Sequence, residues 1–107
     1  MRISRILAAE LVLLASLAMA GPSLATEYTV TIEMMKVGEV PANLHVGDTV
    51  VWQNKDILRH TATARDKTFD VDLPPGTEGK MVLAQAGSFG FFCRFHPGMT
   101  GTLVVLP

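Results

Sequence analysis

Only one of the 107 residues is a cysteine and only three are histidines, and neither sign of charge prevails: nine Lys and Arg stand against ten Asp and Glu, a formal net charge of −1. Each scarcity excludes something. One cysteine closes no intramolecular disulfide, builds no structural zinc knuckle and attaches no c-type haem. A near-neutral balance offers no cationic stripe to neutralise phosphates, so nucleic acid is not an expected partner. The acidic residues are scattered over turns and solvent faces, with no pair set for acid–base chemistry. The length leaves room for one domain and none for two lobes around a cleft.

A membrane-spanning run is missing as well. The stretch from Ile6 to Met19 falls short of the ~20 apolar residues a spanning helix needs, and Glu10 interrupts it. It follows the basic Arg2 and Arg5 and precedes two small-residue motifs, Ala18-Met19-Ala20 and Ser23-Leu24-Ala25. Residues 1–25 therefore read as a secretory signal peptide, with cleavage after Ala25 preferred to cleavage after Ala20. No cysteine follows either point to carry a lipid anchor, and the expected location is the periplasm. What remains, residues 26–107, is an 82-residue chain with seven Lys and Arg and nine Asp and Glu. A chain of that size buries only about 60% of its unfolded surface and is marginal without a staple. With disulfides excluded, a bound metal is the staple left.

Beyond residue 25 the apolar period is two. Tyr28, Val30, Ile32 and Met34 alternate with Thr29, Thr31 and Glu33, and Leu44 and Val46 repeat the pattern before Gly47-Asp48. Further strands are expected over 49–53 with Trp52, then 61–64, 69–73, 80–84, 88–92 and 102–106. Pro74-Pro75-Gly76, Ala86-Gly87 and Pro97-Gly98 punctuate them. Seven to eight short strands with no helical period predict an all-β fold, a Greek-key antiparallel sandwich in a single domain. Met34, Met35 and Met81 read as strand packing residues. His45, between Leu44 and Val46, points to the opposite face and is not an expected ligand.

Chemistry concentrates in Cys93-Arg94-Phe95-His96-Pro97-Gly98-Met99, where a thiolate, an imidazole and a thioether recur every third residue in a loop between two strands. His60, 33 residues before Cys93, supplies a second imidazole at another strand end. Taken singly, each has an ordinary explanation: a lone Cys or Met is usually core filler. Together they match one metal geometry. Soft sulfur with imidazole selects copper, and two His, one Cys and a weak axial Met make a blue-copper electron-transfer centre. An unpaired thiol in an oxidising compartment is also a liability unless something occupies it.

The aromatic-Cys-x-x-His-x-x-Met pattern, followed by Gly101 and a final β-branched strand, resembles the cupredoxins, the small blue copper proteins, most of all the amicyanin, pseudoazurin and plastocyanin group. Val46-Gly47-Asp48-Thr49-Val50-Val51-Trp52-Gln53-Asn54 and Ala86-Gly87-Ser88-Phe89-Gly90-Phe91-Phe92-Cys93 are similar to that group's strands leading to the first copper histidine and to the cysteine. The resemblance implies a cupredoxin-like sandwich over 26–107 with one type 1 copper. Its equatorial ligands would be His60, Cys93 and His96 and its axial ligand Met99, with Asn54, Thr61 and Phe95 around them. Thr61 stands where many members have Asn, which leaves open whether the usual side-chain tie to the ligand loop is kept, while its backbone N–H remains available to face the Cys93 sulfur. Phe95 stands where relatives often have Pro, and it brings an N–H that can donate to the thiolate and raise the potential.

By the same resemblance His96 reaches the surface within an apolar docking patch, here Ile57, Leu58, Phe95, Pro97 and Gly98, flanked by Arg59 and Arg94. The implied protein is a monomeric exported electron carrier and no enzyme, serving redox proteins such as a c-type cytochrome or a periplasmic dehydrogenase or reductase. The alternative is a copper chaperone or storage module without fast electron transfer. Multicopper oxidases and nitrite reductases share the fold but need further domains and histidines.

Overall fold

The computed structural model describes residues 24–107; apart from Leu24 and Ala25, the predicted signal segment lies outside the described residues. Nine strands run in chain order: β1 (Glu27–Glu33), β2 (Lys36–Val37), β3 (Leu44–His45), β4 (Thr49–Asn54), β5 (His60–Ala64), β6 (Asp70–Leu73), β7 (Glu78–Val82), β8 (Gly87–Phe92) and β9 (Thr100–Leu106). One sheet has the order β2-β1-β4-β7 and the other β3-β9-β8-β5-β6. The architecture is the expected all-β sandwich.

Side-chain alternation selects the core. Val30 and Ile32 of β1 and Leu103 and Val105 of β9 are buried, while Glu27, Glu33, Thr102 and Val104 face out. Together with Val50, Trp52, Ala62, Leu73 and Phe91 they form one cluster between the sheets. Trp52 is fully buried, stacked on Phe69 at 6.2 Å between ring centroids and edge-on to Phe91 at 5.0 Å. Hiding ~200 Å² of such a side chain contributes about 5 kcal/mol.

Three details differ from the sequence reading. Of the seven strand pairings among the described residues, β1 with β4 and β3 with β9 are parallel and the other five antiparallel. A parallel neighbour needs a long return connection; between β1 and β4 the chain visits the other sheet through β3, so no crossover helix is required. Met34 and Met35 are not packed in a strand but exposed in the two-residue turn joining β1 to β2, with φ of 53° and 60°. Positive φ at both positions follows the twist of a tight hairpin, and the Asp56 carboxylate accepts both turn amides, Met34 N–H at 2.7 Å and Met35 N–H at 3.0 Å. Val46 lies outside the core because β3 ends at His45 and the chain turns at Gly47, φ 96°. Met81 does pack against the core.

Two features of the second sheet position the site. All five residues of β5 are buried: Ala62 and Ala64 lie within the sandwich, and Thr61 and Thr63 share the opposite face. In β8 and β9, Phe91 pairs with Gly101. A Cβ on Gly101 would sit 2.3 Å from the Phe91 ring, so glycine allows that ring into the core and anchors the strand end that delivers Cys93.

Candidate metal centre

His60 opens β5, and Cys93 immediately follows β8 in the same sheet. The segment from Cys93 to Met99 is closed by its own backbone: Cys93 N–H donates to the Met99 carbonyl at 3.0 Å and Met99 N–H to the His96 carbonyl at 2.9 Å. That closure turns three residues of one short loop back towards the end of β5. One donor atom from each of His60, Cys93 and His96 lies within 4.8 Å of the others.

Both imidazoles present Nδ1 to the Cys93 sulfur at 3.7 Å. Ligands at metal distances of about 2.3 Å for sulfur and about 2.0 Å for nitrogen, set 120° apart, would be about 3.7 Å from each other. The spacing thus fits one ion in a trigonal setting, and thiolate with two imidazoles suits copper. Met99 is buried and belongs to the same apolar cluster as Cys93. His45, on the exposed face of β3, is not part of the group.

The thiol is prepared for deprotonation. Burial pushes the Cys93 pKa up, but the Thr61 N–H, the His60 and His96 rings and the Phe95 N–H together outweigh it and hold the thiol at about 6. Thr61 N–H points at Sγ from 3.4 Å, and the Phe95 N–H that a proline would lack makes the smallest of these lowering contributions. The Asn-to-Thr departure does not remove the tie to the ligand loop, because Thr61 Oγ1 accepts the Arg94 N–H at 2.9 Å. Asn54 braces the other loop: its Nδ2 donates to the Leu58, Leu73 and Pro74 carbonyls, and its Oδ1 accepts the Asp56 N–H at 2.9 Å.

One residue of the site was not singled out by the sequence reading. Asp56 Oδ2 lies 2.7 Å from His60 Nε2. Donation of Nε2–H to this carboxylate leaves the Nδ1 lone pair facing Cys93, the arrangement in which a carboxylate orients a ligand histidine. Burial raises the Asp56 pKa, but the Met35 and Met34 amides and His60 hold it below its ordinary 3.8. An aspartate four residues before a candidate ligand in a loop is the signal that could have found it.

Ile57, Leu58 and Phe95 are exposed, at 91%, 47% and 50%, on the loop that precedes His60 and the loop that carries His96, with Pro97 and Gly98 also exposed. Arg59 and Arg94 are not free cations: they pair with Asp72 at 3.7 Å and Asp70 at 3.3 Å. Among the described residues no helix is long and apolar enough to cross a membrane.

The cupredoxin-like domain family matches residues 6–105. Amicyanin of Paracoccus versutus is 29% identical over 82 residues, which are 71% of this chain and 62% of amicyanin, so the chain spans less than two thirds of that relative. A Cu(I) structure of a methionine-to-glutamine variant of amicyanin superposes with a TM-score of 0.63 at 24% identity, over 75% of this chain and 82% of the other. A purple cupredoxin from Nitrosopumilus maritimus superposes with a TM-score of 0.62 at 25% identity, over 74% and 99%. With its sandwich, its clustered thiol and imidazoles and this match over most of its length, the chain belongs to the cupredoxin-like family and carries a His-Cys-His site that can bind copper as in type 1 copper proteins.

Proposed function

We propose that the protein is a small exported electron carrier that holds one copper ion through His60 Nδ1, Cys93 Sγ and His96 Nδ1, with the Met99 thioether as a weak fourth ligand. The observation that carries this reading is the placement of both Nδ1 atoms 3.7 Å from the Cys93 sulfur. When bound, copper supplies the one-electron Cu(I)/Cu(II) couple. The chain's own residues fix the surroundings. Asp56 orients His60, Thr61 and Phe95 offer N–H groups to the thiolate, and Asn54 holds the preceding loop, so the donor atoms need not move between oxidation states.

Access favours a carrier over an enzyme. His60 and Cys93 are sealed at 0% and 2% exposure, leaving no approach for a substrate, whereas His96 is only half-buried and offers the electron a short way out. The apolar surface of Ile57, Leu58, Phe95, Pro97 and Gly98 is the proposed docking face. Its partners would be redox proteins such as a c-type cytochrome or a periplasmic dehydrogenase or reductase. With Arg59 and Arg94 each paired to an aspartate, the face would rely on apolar contact more than on charge. The proposed working form is a periplasmic monomer of residues 26–107, after removal of a signal peptide over 1–25.

Visible absorption, EPR and voltammetry of the mature protein loaded with Cu(II) test the proposal. An intense thiolate-to-copper band with a reversible couple is expected; a colourless Cu(I) protein that passes metal to another apoprotein would replace the carrier with a chaperone. Leu58→Glu is expected to leave the spectrum intact and slow electron exchange with a partner.

A further inference from the structure

Arg94, the residue after the candidate thiolate ligand, is held twice by the β5–β6 hairpin. Its backbone N–H donates to Thr61 Oγ1 at 2.9 Å, and its Nε donates to Asp70 Oδ1 at 3.3 Å. Between those two points run Thr61 Oγ1 to Thr63 Oγ1 at 2.9 Å and Thr63 Oγ1 to Asp70 Oδ1 at 2.7 Å. The contacts close a ring: Arg94 backbone, Thr61, Thr63, Asp70, and back to Arg94 through its side chain.

The direction of every bond in that ring follows from one charge. An ionised carboxylate only accepts, so Thr63 spends its single hydroxyl proton on Asp70. Thr63 then has none for Thr61, so Thr61 donates to Thr63. Thr61 Oγ1 is left with lone pairs, one of which takes the Arg94 N–H. A carboxylate-terminated series of this kind is charge-assisted and mutually polarised, so each bond exceeds an isolated hydroxyl pair. Thr61 and Thr63 are buried, whereas Asp70 and Arg94 reach solvent.

We propose that Thr63 and Asp70 are positioning residues for the Cys93 sulfur, acting through this ring to fix the Cys93–Arg94 peptide against β5. Thr61 touches both ends of that peptide unit: its N–H faces Sγ at 3.4 Å and its hydroxyl holds the next amide. Thr63 and Asp70 touch neither the sulfur nor the imidazoles, and their part is to keep the Thr61 hydroxyl turned to accept. The ring is made of the chain's own residues, so it can be tested without copper. Only its consequence for colour and potential rests on the proposed copper function.

Thr63→Val removes the hydroxyl at nearly constant shape, and Thr63→Ser restores it. In metal-free Thr63→Val, the Arg94 amide is expected to exchange hydrogen about 5- to 10-fold faster relative to the Leu103 amide of β9, the size of one lost hydrogen bond. The three-bond couplings at Cys93 are expected to report a less uniform χ1. Thr63→Ser returns both to the parent values, and Asp70→Asn, which keeps an acceptor but loses the charge, falls between. In the copper-loaded protein the thiolate-to-copper band of Thr63→Val shifts and that of Thr63→Ser does not. Arg94 and Leu103 changing in step would overturn the ring as a local brace. Faster Arg94 exchange with unaltered Cys93 couplings and an unaltered band would overturn its action on the sulfur. A parent protein without any visible band would sink the copper function instead, and the two metal-free measurements would still decide the ring.

Discussion

His60 and His96 present the same atom to the same sulfur at the same 3.7 Å, yet their settings are opposite. His60 is fully buried at the start of a strand, its second nitrogen held by Asp56 and its loop by Asn54. His96 is half-buried in a seven-residue loop closed by backbone bonds. Equal geometry with unequal burial separates two tasks. In the proposed carrier the His60 side would set rigidity and dryness, and the His96 side would give access.

The largest test of that division removes each ring in turn. His60→Gly opens a buried hole and strands the Asp56 carboxylate, an expected loss of about 4–5 kcal/mol in unfolding experiments, with a visible band that added imidazole does not restore. His96→Gly should cost about 1 kcal/mol, and imidazole should restore its colour through the open loop. Equal losses and equal rescue would erase the distinction between the two sides.

The sulfur they share is tested by pH. Its pKa in the folded chain, about 6, lies below the ordinary thiol value of 9.0. Between these values the unfolded chain binds more protons, so the contribution is fully present above pH 9 and is lost as pH falls through 6. Denaturant unfolding of the metal-free protein should show up to about 4 kcal/mol of stability lost over that interval, and Cys93→Ala should remove that slope.

Asn54→Ala sharpens the His60 side alone. Its amide serves three carbonyls, so a loss of about 2–3 kcal/mol is expected, with the His60 ring broadened in NMR spectra and His96 unaffected. The smallest effect belongs to the open side. Phe95→Pro deletes one N–H facing the thiolate and should lower the reduction potential by on the order of tens of millivolts; an unchanged or raised potential would remove Phe95 from the set of tuning groups.

Much of this was legible without coordinates, because the relevant signals are local. Period-two burial marked the strands, turn residues separated them, and the Cys93, His96 and Met99 spacing placed three donors in one short loop. Signals that depend on distant segments were not legible. Met34 continues the alternation of β1, and only the hairpin with β2 and the grip of Asp56 turn it outward. Val46 likewise continues the pattern of β3 and falls outside the core because the strand stops one residue earlier. Asp70 looked like an ordinary surface acid until folding brought it to Arg94, 24 residues on, whereas Asp56 stands only four residues before His60 and was open to a local reading.

By itself the sequence determined the class of fold and the donor atoms available for copper, since composition, period and spacing act within a few residues. The tertiary structure decided which partners those donors acquired. The parallel pairing of β1 with β4, the grip of Asp56 on the Met34 and Met35 amides and the return of Arg94 to Thr61 and Asp70 each join residues more than 20 positions apart. Which of many possible long-range contacts forms is set by how the two sheets pack against their shared core, and no local pattern encodes that choice.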